Sequence, residues 1–589
     1  MVLLGLCILV AGIVNPGLID GLSYTDDQKG IQSKSNIFLV FECRLVLDLI
    51  ANHLSHSGPK YTFVHEATSA PATSYYHYII IGGGTAGCPL AATLSSNYNV
   101  LLIERGGSPY GNPNITNLSS FGYSLSDHSA TSPSQRFISK DGVINSRARV
   151  LGGGTSLNAG FYSRAEPQYV KDSSWDGKLV NESYEWVEKM VAFKAKVEAW
   201  QSAVRDGLLE AGVLPNNGFT FDHINGTKIG GTIFDRKGQR HTAADLLQYA
   251  NPKRLTVLLH ATVSRILFRW KGKQKPVAYG VIFTDASVIK HKAYLNQESG
   301  LGSKNEIVLS AGALGSPQLL MLSGVGPADH LRSLNITVVV DQPLVGQGMS
   351  DSPVNAVYVP SPIEVEVSLA QVVGITEFGS YVEAVSGANY LERAFGNVAK
   401  DLEIFLPHNH QLHTTNVPPK QREVMKNDLN STAFKGGFIV EKLIGPLTLY
   451  QLAFLSWQPR TQMPTQLSLS TTSKNPKTSN GVLMVLKQSR RYDNISFQAL
   501  LNLTSSFPIN LVPKTGNDPT SLVQFCKFTV LTIWHYHGGC QVGKVIDQDY
   551  KVLGVDSLRV IDGSTFINSP GTNPQATTMM LGRYNININ

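Results

Sequence analysis

Tyr78–Ile79–Ile80–Ile81–Gly82–Gly83–Gly84–Thr85–Ala86–Gly87 is the stretch that decides the fold. Three consecutive isoleucines form a short, apolar, β-branched run, which reads as a parallel strand buried on both faces. The run leads straight into Gly82-x-Gly84-x-x-Gly87. Gly82 permits a tight turn, Gly84 lets backbone approach a pyrophosphate, and Gly87 lets the next helix pack close to the strand. That helix starts around Cys88–Pro89–Leu90, with Pro89 in the first turn, where no amide donor is missed. Its N-terminus offers N–H groups and a positive dipole end to phosphate. A second apolar strand, Val100–Ile103, ends in Glu104, 17 residues beyond Gly87. A carboxylate there can accept from a free ribose hydroxyl, which suits FAD or NAD rather than NADP.

The chain has 589 residues, too many for one simple core, so two interlaced domains are expected. With 42% hydrophobic and 16% charged residues it is globular rather than disordered. Its net charge of +7 is not concentrated in any run, which argues against a nucleic-acid partner and favours loose contact with an acidic matrix. Five cysteines without CxxC spacing leave no metal site or redox dithiol, and Cys88 reads as a small packing residue. An apolar run from Val2 to Ile13 resembles the core of a secretory signal, although no Lys or Arg precedes it. Neither this run nor Ile37–Ile50 is a membrane span of about 20 residues. Eight Asn-x-Ser/Thr sequons, among them Asn114, Asn181 and Asn225, also point to the secretory pathway.

Residues 1–72 read as leader and linker. The stretch Arg147 to Phe161 carries Gly152–Gly153–Gly154–Thr155–Ser156, a loop able to lie flat against a ligand, and Asn158 adds a donor and an acceptor. Residues 184–212 have helical periodicity, and Arg240–Leu247 starts another helix. Leu255–Leu259 and Val263–Phe268 read as paired strands, and Glu306–Ser310 as a further buried strand feeding a helix after Gly312. Residues 446–493 are polar and aperiodic.

Near the C-terminus, Trp534–His535–Tyr536–His537–Gly538–Gly539 is the chemically richest segment. An imidazole can remove a hydroxyl proton at neutral pH. The two glycines after His537 read as keeping space clear for a substrate or flat cofactor. Leu558–Ile561 is a strand ending in Asp562–Gly563, and a helix start follows Asn573–Pro574–Gln575.

Taken together, these motifs resemble the glucose–methanol–choline (GMC) flavin oxidoreductases, and within them the plant hothead-like branch that includes the mandelonitrile lyases. The resemblance runs from about Tyr75 to Tyr584. It implies an α/β fold: a Rossmann-like FAD-binding domain interlaced with an α+β substrate domain on an antiparallel sheet. The FAD domain would be assembled from residues 73–165, 226–350 and 525–589. Residues 166–225 would be mostly substrate or cap region, and 351–524 the substrate domain.

The implied cofactor is FAD. Gly82, Gly84, Thr85, Ala86, Gly87, Glu104 and Arg105 would hold its ADP half, with Val263 meeting the adenine through its backbone. Val150, Gly154, Asn158, Ala159, Gly160 and Phe161 would lie along the isoalloxazine and pyrophosphate. Trp534, His535, Asp562, Gly563, Pro574 and Gln575 would surround the flavin end. His537 and Asn573 match the family's catalytic pair. They would take the proton of an alcohol and hold its oxygen while hydride passes to flavin N5 and an aldehyde forms.

The resemblance extends to ω-hydroxy fatty acids of cuticle synthesis as the substrate. A hydroxynitrile lyase is the alternative, but those relatives carry His where this chain has Asn573 and Tyr where it has His535. A defective member is a further alternative. Residues 446–493 do not align with the relatives' substrate sheet, a cysteine that could partner Cys526 is missing there, and the chain ends abruptly at residues 582–589.

Overall fold

The computed structural model describes residues 61–138, 144–270, 272, 275–296, 305–360, 365–376, 380–387, 436–443 and 531–584. Six strands form one parallel sheet: β1 Val64–Glu66, β2 Tyr78–Ile81, β3 Val100–Ile103, β4 Leu255–Leu259, β5 Glu306–Leu309 and β6 Leu558–Val560. Their order across the sheet is β1-β4-β3-β2-β5-β6, with every neighbouring pair parallel. Every residue of β2, β3 and β5 is buried. Covering both faces of the sheet is what allows uninterrupted apolar strands. The motif strand β2 lies third from the β6 edge, between β3 and β5.

Five helices matter for the site: α1 Gly87–Leu94, α2 Gly177–Val191, α3 Ala199–Glu210, α4 Gly312–Leu322 and α5 Gln575–Tyr584. The residues Gly-Cys-Pro-Leu-Ala-Ala-Thr-Leu of α1 are small enough for all but Thr93 to be buried. A Cβ on Gly87 would lie 1.9 Å from the Gly82 carbonyl oxygen, so only glycine lets the helix start against the strand end. Gly82 takes φ 104°, where a side chain would strike the Ser310 carbonyl.

A second, seven-stranded sheet runs Leu531–Thr532, Pro353–Pro360, Gly436–Leu443, Ser380–Ser386, Val372–Ile375, Gly226–Ile229, Asn216–Phe219. Its pairings are antiparallel except the last, which is parallel. A smaller sheet joins Thr262–Trp270, Pro276–Thr284, Lys290–Leu295 and Thr73–Tyr76. The fold is thus a parallel Rossmann-like layer beside a mainly antiparallel sheet.

Several expectations need correction. Leader and linker do not reach residue 72: the compact unit begins at Tyr61, and β1 pairs with β4 at the sheet edge. Gly226–Ile229 belongs to the seven-stranded sheet and not to the cofactor-side layer. The helical stretch 184–212 is two helices, because Phe193–Lys194 leaves the helix to pair with Gly231–Thr232. Leu255–Leu259 and Thr262–Trp270 do not pair with each other. The first is claimed by β1 and β3, and the second by Pro276–Thr284. Residues 446–493 and Cys526 lie outside the described residues. Among the described residues no helix is long and apolar enough to cross a membrane, and no group of His, Cys, Asp or Glu could hold a metal ion.

Candidate active site

The two glycine-rich loops meet at the C-terminal end of the parallel sheet. Gly152 N–H donates to the Gly83 carbonyl at 2.7 Å. A Cβ on Gly153, at φ 60°, would come within 2.8 Å of Gly84 Cα. The loop therefore lies flat, and what it lies against is the first glycine turn. A Cβ on Gly84 would find no atom nearer than 3.8 Å, and one on Gly154 would meet only Thr85 Oγ1 at 3.9 Å. Between them is a backbone-lined cradle at the α1 N-terminus, bordered by Thr85 and Ala86, the kind of site that holds a diphosphate. Val150 is buried beneath it and bridges Gly107.

Glu104 is buried and spans the turn: Oε2 accepts from Gly83 N–H at 2.9 Å and Oε1 from Gly106 N–H at 2.7 Å. A carboxylate has about four acceptor sites, so these two bonds fix it and leave capacity for a hydroxyl donor. Ala261 N–H donates to the Glu104 carbonyl at 2.9 Å, which brings the strand carrying Val263 to the same corner. Arg105 does not face the cradle with a free guanidinium. It donates to Gln135 Oε1 at 2.8 Å and to the Ala148 carbonyl at 2.9 Å, and burial lowers its pKa.

Asn158 and Gln575 are 417 residues apart in sequence and hydrogen-bonded at 2.9 Å. Gln575 Nε2 also donates to the Phe161 carbonyl, so the start of α5 is tied to the loop at both ends of Asn158–Phe161. Ala159 is half-buried, and Gly160, at φ 76°, passes close over the Phe234 ring. Arg240, which the sequence did not single out, organises this loop. It donates to the Thr155 carbonyl at 3.1 Å, the Asn158 carbonyl at 2.7 Å and Asn158 Oδ1 at 3.2 Å, and from Nε to the Ile115 carbonyl at 2.9 Å. Lys228 was missed as well. Its buried ammonium donates to Ser163 Oγ at 2.9 Å and to the Asp222 carbonyl, and lies 5.8 Å from the Phe161 ring centroid.

The C-terminal segment closes the site. His537 is buried, and its backbone makes two hydrogen bonds with Ser350. Its Nδ1 lies 3.0 Å from the His535 carbonyl oxygen. A carbonyl only accepts, so Nδ1 carries the proton and the lone pair of the neutral ring sits on Nε2. Trp534, at φ 57°, is exposed, and its N–H donates to Thr532 Oγ1.

Gly538 and Gly539 do not open space for a ligand. A Cβ on Gly538 would lie 2.2 Å from the Gly348 carbonyl oxygen, so the glycines admit a neighbouring backbone. Gly538 N–H donates to the Gly563 carbonyl at 3.2 Å, joining the His537 segment to Asp562–Gly563. Asp562 turns its carboxylate inward to Gly312 N–H, Ser316 Oγ and Ser564 N–H. Burial raises its pKa, and those donors oppose the rise. Asn573 stands one residue before Pro574 and the α5 start. Its Oδ1 is buried with no hydrogen-bond partner among the described residues. An orphaned buried carbonyl oxygen is costly unless a bound molecule donates to it.

The family models described as GMC oxidoreductase match residues 76–354 and 477–582. The chain belongs to the GMC oxidoreductase family. It is 48% identical over 560 residues to Protein HOTHEAD of Arabidopsis thaliana, covering 89% of this chain and 91% of that one. It is 41% identical to an (R)-mandelonitrile lyase-like protein of the same plant, covering 93% and 97%. Against a sinalpyl alcohol oxidase of Nesocodon mauritianus it is 38% identical, covering 94% and 96%. Formate oxidase shares the fold at TM-score 0.67 and 18% identity, with 88% of this chain and 98% of that one covered. A fungal aryl-alcohol oxidase shares it at TM-score 0.58 and 17% identity, covering 87% and 98%.

The family assignment makes the protein an FAD-dependent oxidoreductase, and the cradle and the orphaned Asn573 oxygen fit that cofactor with a substrate beside it. The second family match begins at residue 477, so part of the aperiodic 446–493 stretch aligns with the family after all.

Proposed function

We propose that this enzyme oxidises a CH–OH group to an aldehyde, with His537 as the base and Asn573 as the residue that holds the reacting oxygen. The observation that carries the reading is the His537–His535 contact. It commits Nδ1 to a carbonyl and makes Nε2 the atom able to accept a hydroxyl proton. Asn573 can hold the same oxygen by donating from Nδ2, which leaves the hydroxyl's one proton to His537, and its carboxamide cannot titrate. FAD, when bound, supplies the hydride acceptor. Gly84, Thr85, Gly154 and the α1 N-terminus would hold its diphosphate, and Glu104 its ribose. The buried Asp562 network and the Asn158–Gln575 bond keep the two chain segments around it rigid.

Among alcohols, the hothead-like resemblance favours long-chain ω-hydroxy fatty acids, by analogy. The apolar Val2–Ile13 run and exposed sequons such as Asn114, Asn181 and Asn225 favour export through the secretory pathway.

The test is to mix the purified flavoprotein with a panel of alcohols, ω-hydroxy fatty acids included, without oxygen. The expected result is bleaching of the oxidised-flavin band with aldehyde formed in equal amount. Release of benzaldehyde from mandelonitrile with the band unchanged, and no bleaching by any alcohol, would overturn the proposal in favour of lyase chemistry.

A further inference from the structure

The small sheet Thr262–Trp270, Pro276–Thr284, Lys290–Leu295, Thr73–Tyr76 turns one face to the core through Ile266, Ala278, Val281, Phe283 and Ala293. The other face is solvated, and the register fixes what it displays. One row across the strands reads Arg265, Ile282, Lys292, Thr73, and the next reads Leu267, Gly280, Tyr294, Tyr75. A Cβ on Gly280 would meet Tyr294 Cδ1 at 2.6 Å, so the glycine exists to let that ring lie flat on the sheet. Tyr294 stacks on Tyr279 with centroids 5.8 Å apart and planes 8° apart, and Tyr75 adjoins it at 5.7 Å. The result is a broad aromatic platform, with Tyr75 60% exposed at its edge.

The charge carried by the strands themselves has one sign. The four strands carry Arg265, Arg269, Lys290 and Lys292 and no Asp or Glu. All four cations are exposed, and none makes an ion pair among the described residues. Arg269 lies 5.6 Å from the centroid of the Tyr279 ring. Asp285, beside the sheet, is buried and consumed by His291 and two backbone N–H groups. Asp556 bridges Val277 at one end of the sheet. Cations without carboxylate partners beside partly exposed rings match a ligand that has both anionic groups and apolar ring faces. Four cations are fewer than the roughly six to ten phosphate contacts typical of nucleic-acid binding, so ring stacking must share the work.

We propose that this face docks an acidic polysaccharide, with sugar rings on the Tyr75–Tyr294–Tyr279 platform and uronate carboxylates on Arg265, Arg269, Lys290 and Lys292. Neither His537 nor Asn573 lies on these strands, so docking tethers the enzyme without using the residues assigned to the reaction.

The test is affinity electrophoresis of the FAD-loaded full chain in gels containing polygalacturonate, at low and moderate salt. Neutral dextran, inorganic polyphosphate, single-stranded DNA and phosphatidylserine vesicles serve as comparison probes. The expected result is salt-sensitive retardation by polygalacturonate and none by dextran. The variant R265Q/R269Q/K290Q/K292Q should lose at least tenfold in polygalacturonate affinity. Tyr75→Ser should lose severalfold toward polygalacturonate and nothing toward polyphosphate. Both variants should keep their flavin content and alcohol turnover. Absence of retardation, an unchanged quadruple variant, an unchanged Tyr75→Ser, or tighter binding to DNA or to the vesicles overturns the proposal.

Discussion

Replacing Arg240 by Met puts the loop architecture to a quantitative test. The guanidinium is buried, makes no ion pair among the described residues, and donates four hydrogen bonds to the carbonyls of Ile115, Thr155 and Asn158 and to Asn158 Oδ1. It also lies 4.4 Å from the Phe234 ring centroid. Burial pushes its pKa down from 12.5 to about 9, which corresponds to roughly 5 kcal/mol against the charged form. Hydrogen bonds from a charged donor contribute roughly 1.5–3 kcal/mol each, and the ring contact about 2 kcal/mol. These contacts offset the cost of burying the guanidinium.

Methionine removes that cost but orphans acceptors at about 1–3 kcal/mol apiece, for a net loss on the order of 3 kcal/mol. Part of the loss falls on Asn158, which holds Gln575 at the start of α5. With 1.4 kcal/mol per tenfold, FAD affinity should drop by roughly 10- to 100-fold. The assay is FAD titration of the apoprotein by flavin fluorescence quenching, with thermal unfolding measured in parallel. Arg240→Lys should recover part of both. If Arg240→Met binds FAD within twofold of the parent and unfolds at the same temperature, the reasoning fails.

Two other substitutions probe separate parts of the structure. Burial lowers the Lys228 pKa to about 7, against a weaker upward pull from Asp222. Between that value and the ordinary lysine value the unfolded chain holds a proton that the folded chain does not. Stability from this group therefore rises with pH across the window, at up to about 1.4 kcal/mol per pH unit. Denaturant unfolding of Lys228→Met should lack that rise, and parallel profiles for the two proteins would refute it. Gly538→Ala sets a Cβ 2.2 Å from the Gly348 carbonyl at φ 82°. It should cost about 2 kcal/mol or more and lower the flavin content on purification; a normal yield of yellow protein would show that the approach is not tight.

The parts of the fold that were legible in the sequence are those where local pattern and tertiary role coincide. Ile79–Ile81 and Val100–Ile103 are buried on both faces, so they announce themselves as uninterrupted apolar runs, and Gly82 and Gly87 between them have no room for a Cβ. Val64–Glu66 was hidden because only its first residue is buried. Leu255–Leu259 and Val263–Phe268 read as a pair from their closeness in sequence, but strand β4 was already flanked on both sides. Periodicity continued through Phe193, and only the distant partner Gly231–Thr232 ends the helix there.

At the candidate site, the residue types able to carry chemistry stood out, including His537, Asn573 and Glu104. The residues that hold the neighbouring loops did not. Arg240 and Lys228 act through carbonyl groups and a hydroxyl brought in by other segments, and no spacing rule reports such partners. Gly538 and Gly539 were recognised as glycines that make room, but what they make room for is the Gly348–Met349 backbone and the Met349 and Pro317 side chains, visible only after folding.

The most direct measurement of the central claim is anaerobic flavin reduction in His537→Ala against the parent, both loaded with FAD and mixed with an alcohol that bleaches the parent. The expected result is an unchanged oxidised-flavin spectrum and a reduction rate lower by about 10²–10⁴. Reduction of the variant at the parent's rate would contradict it.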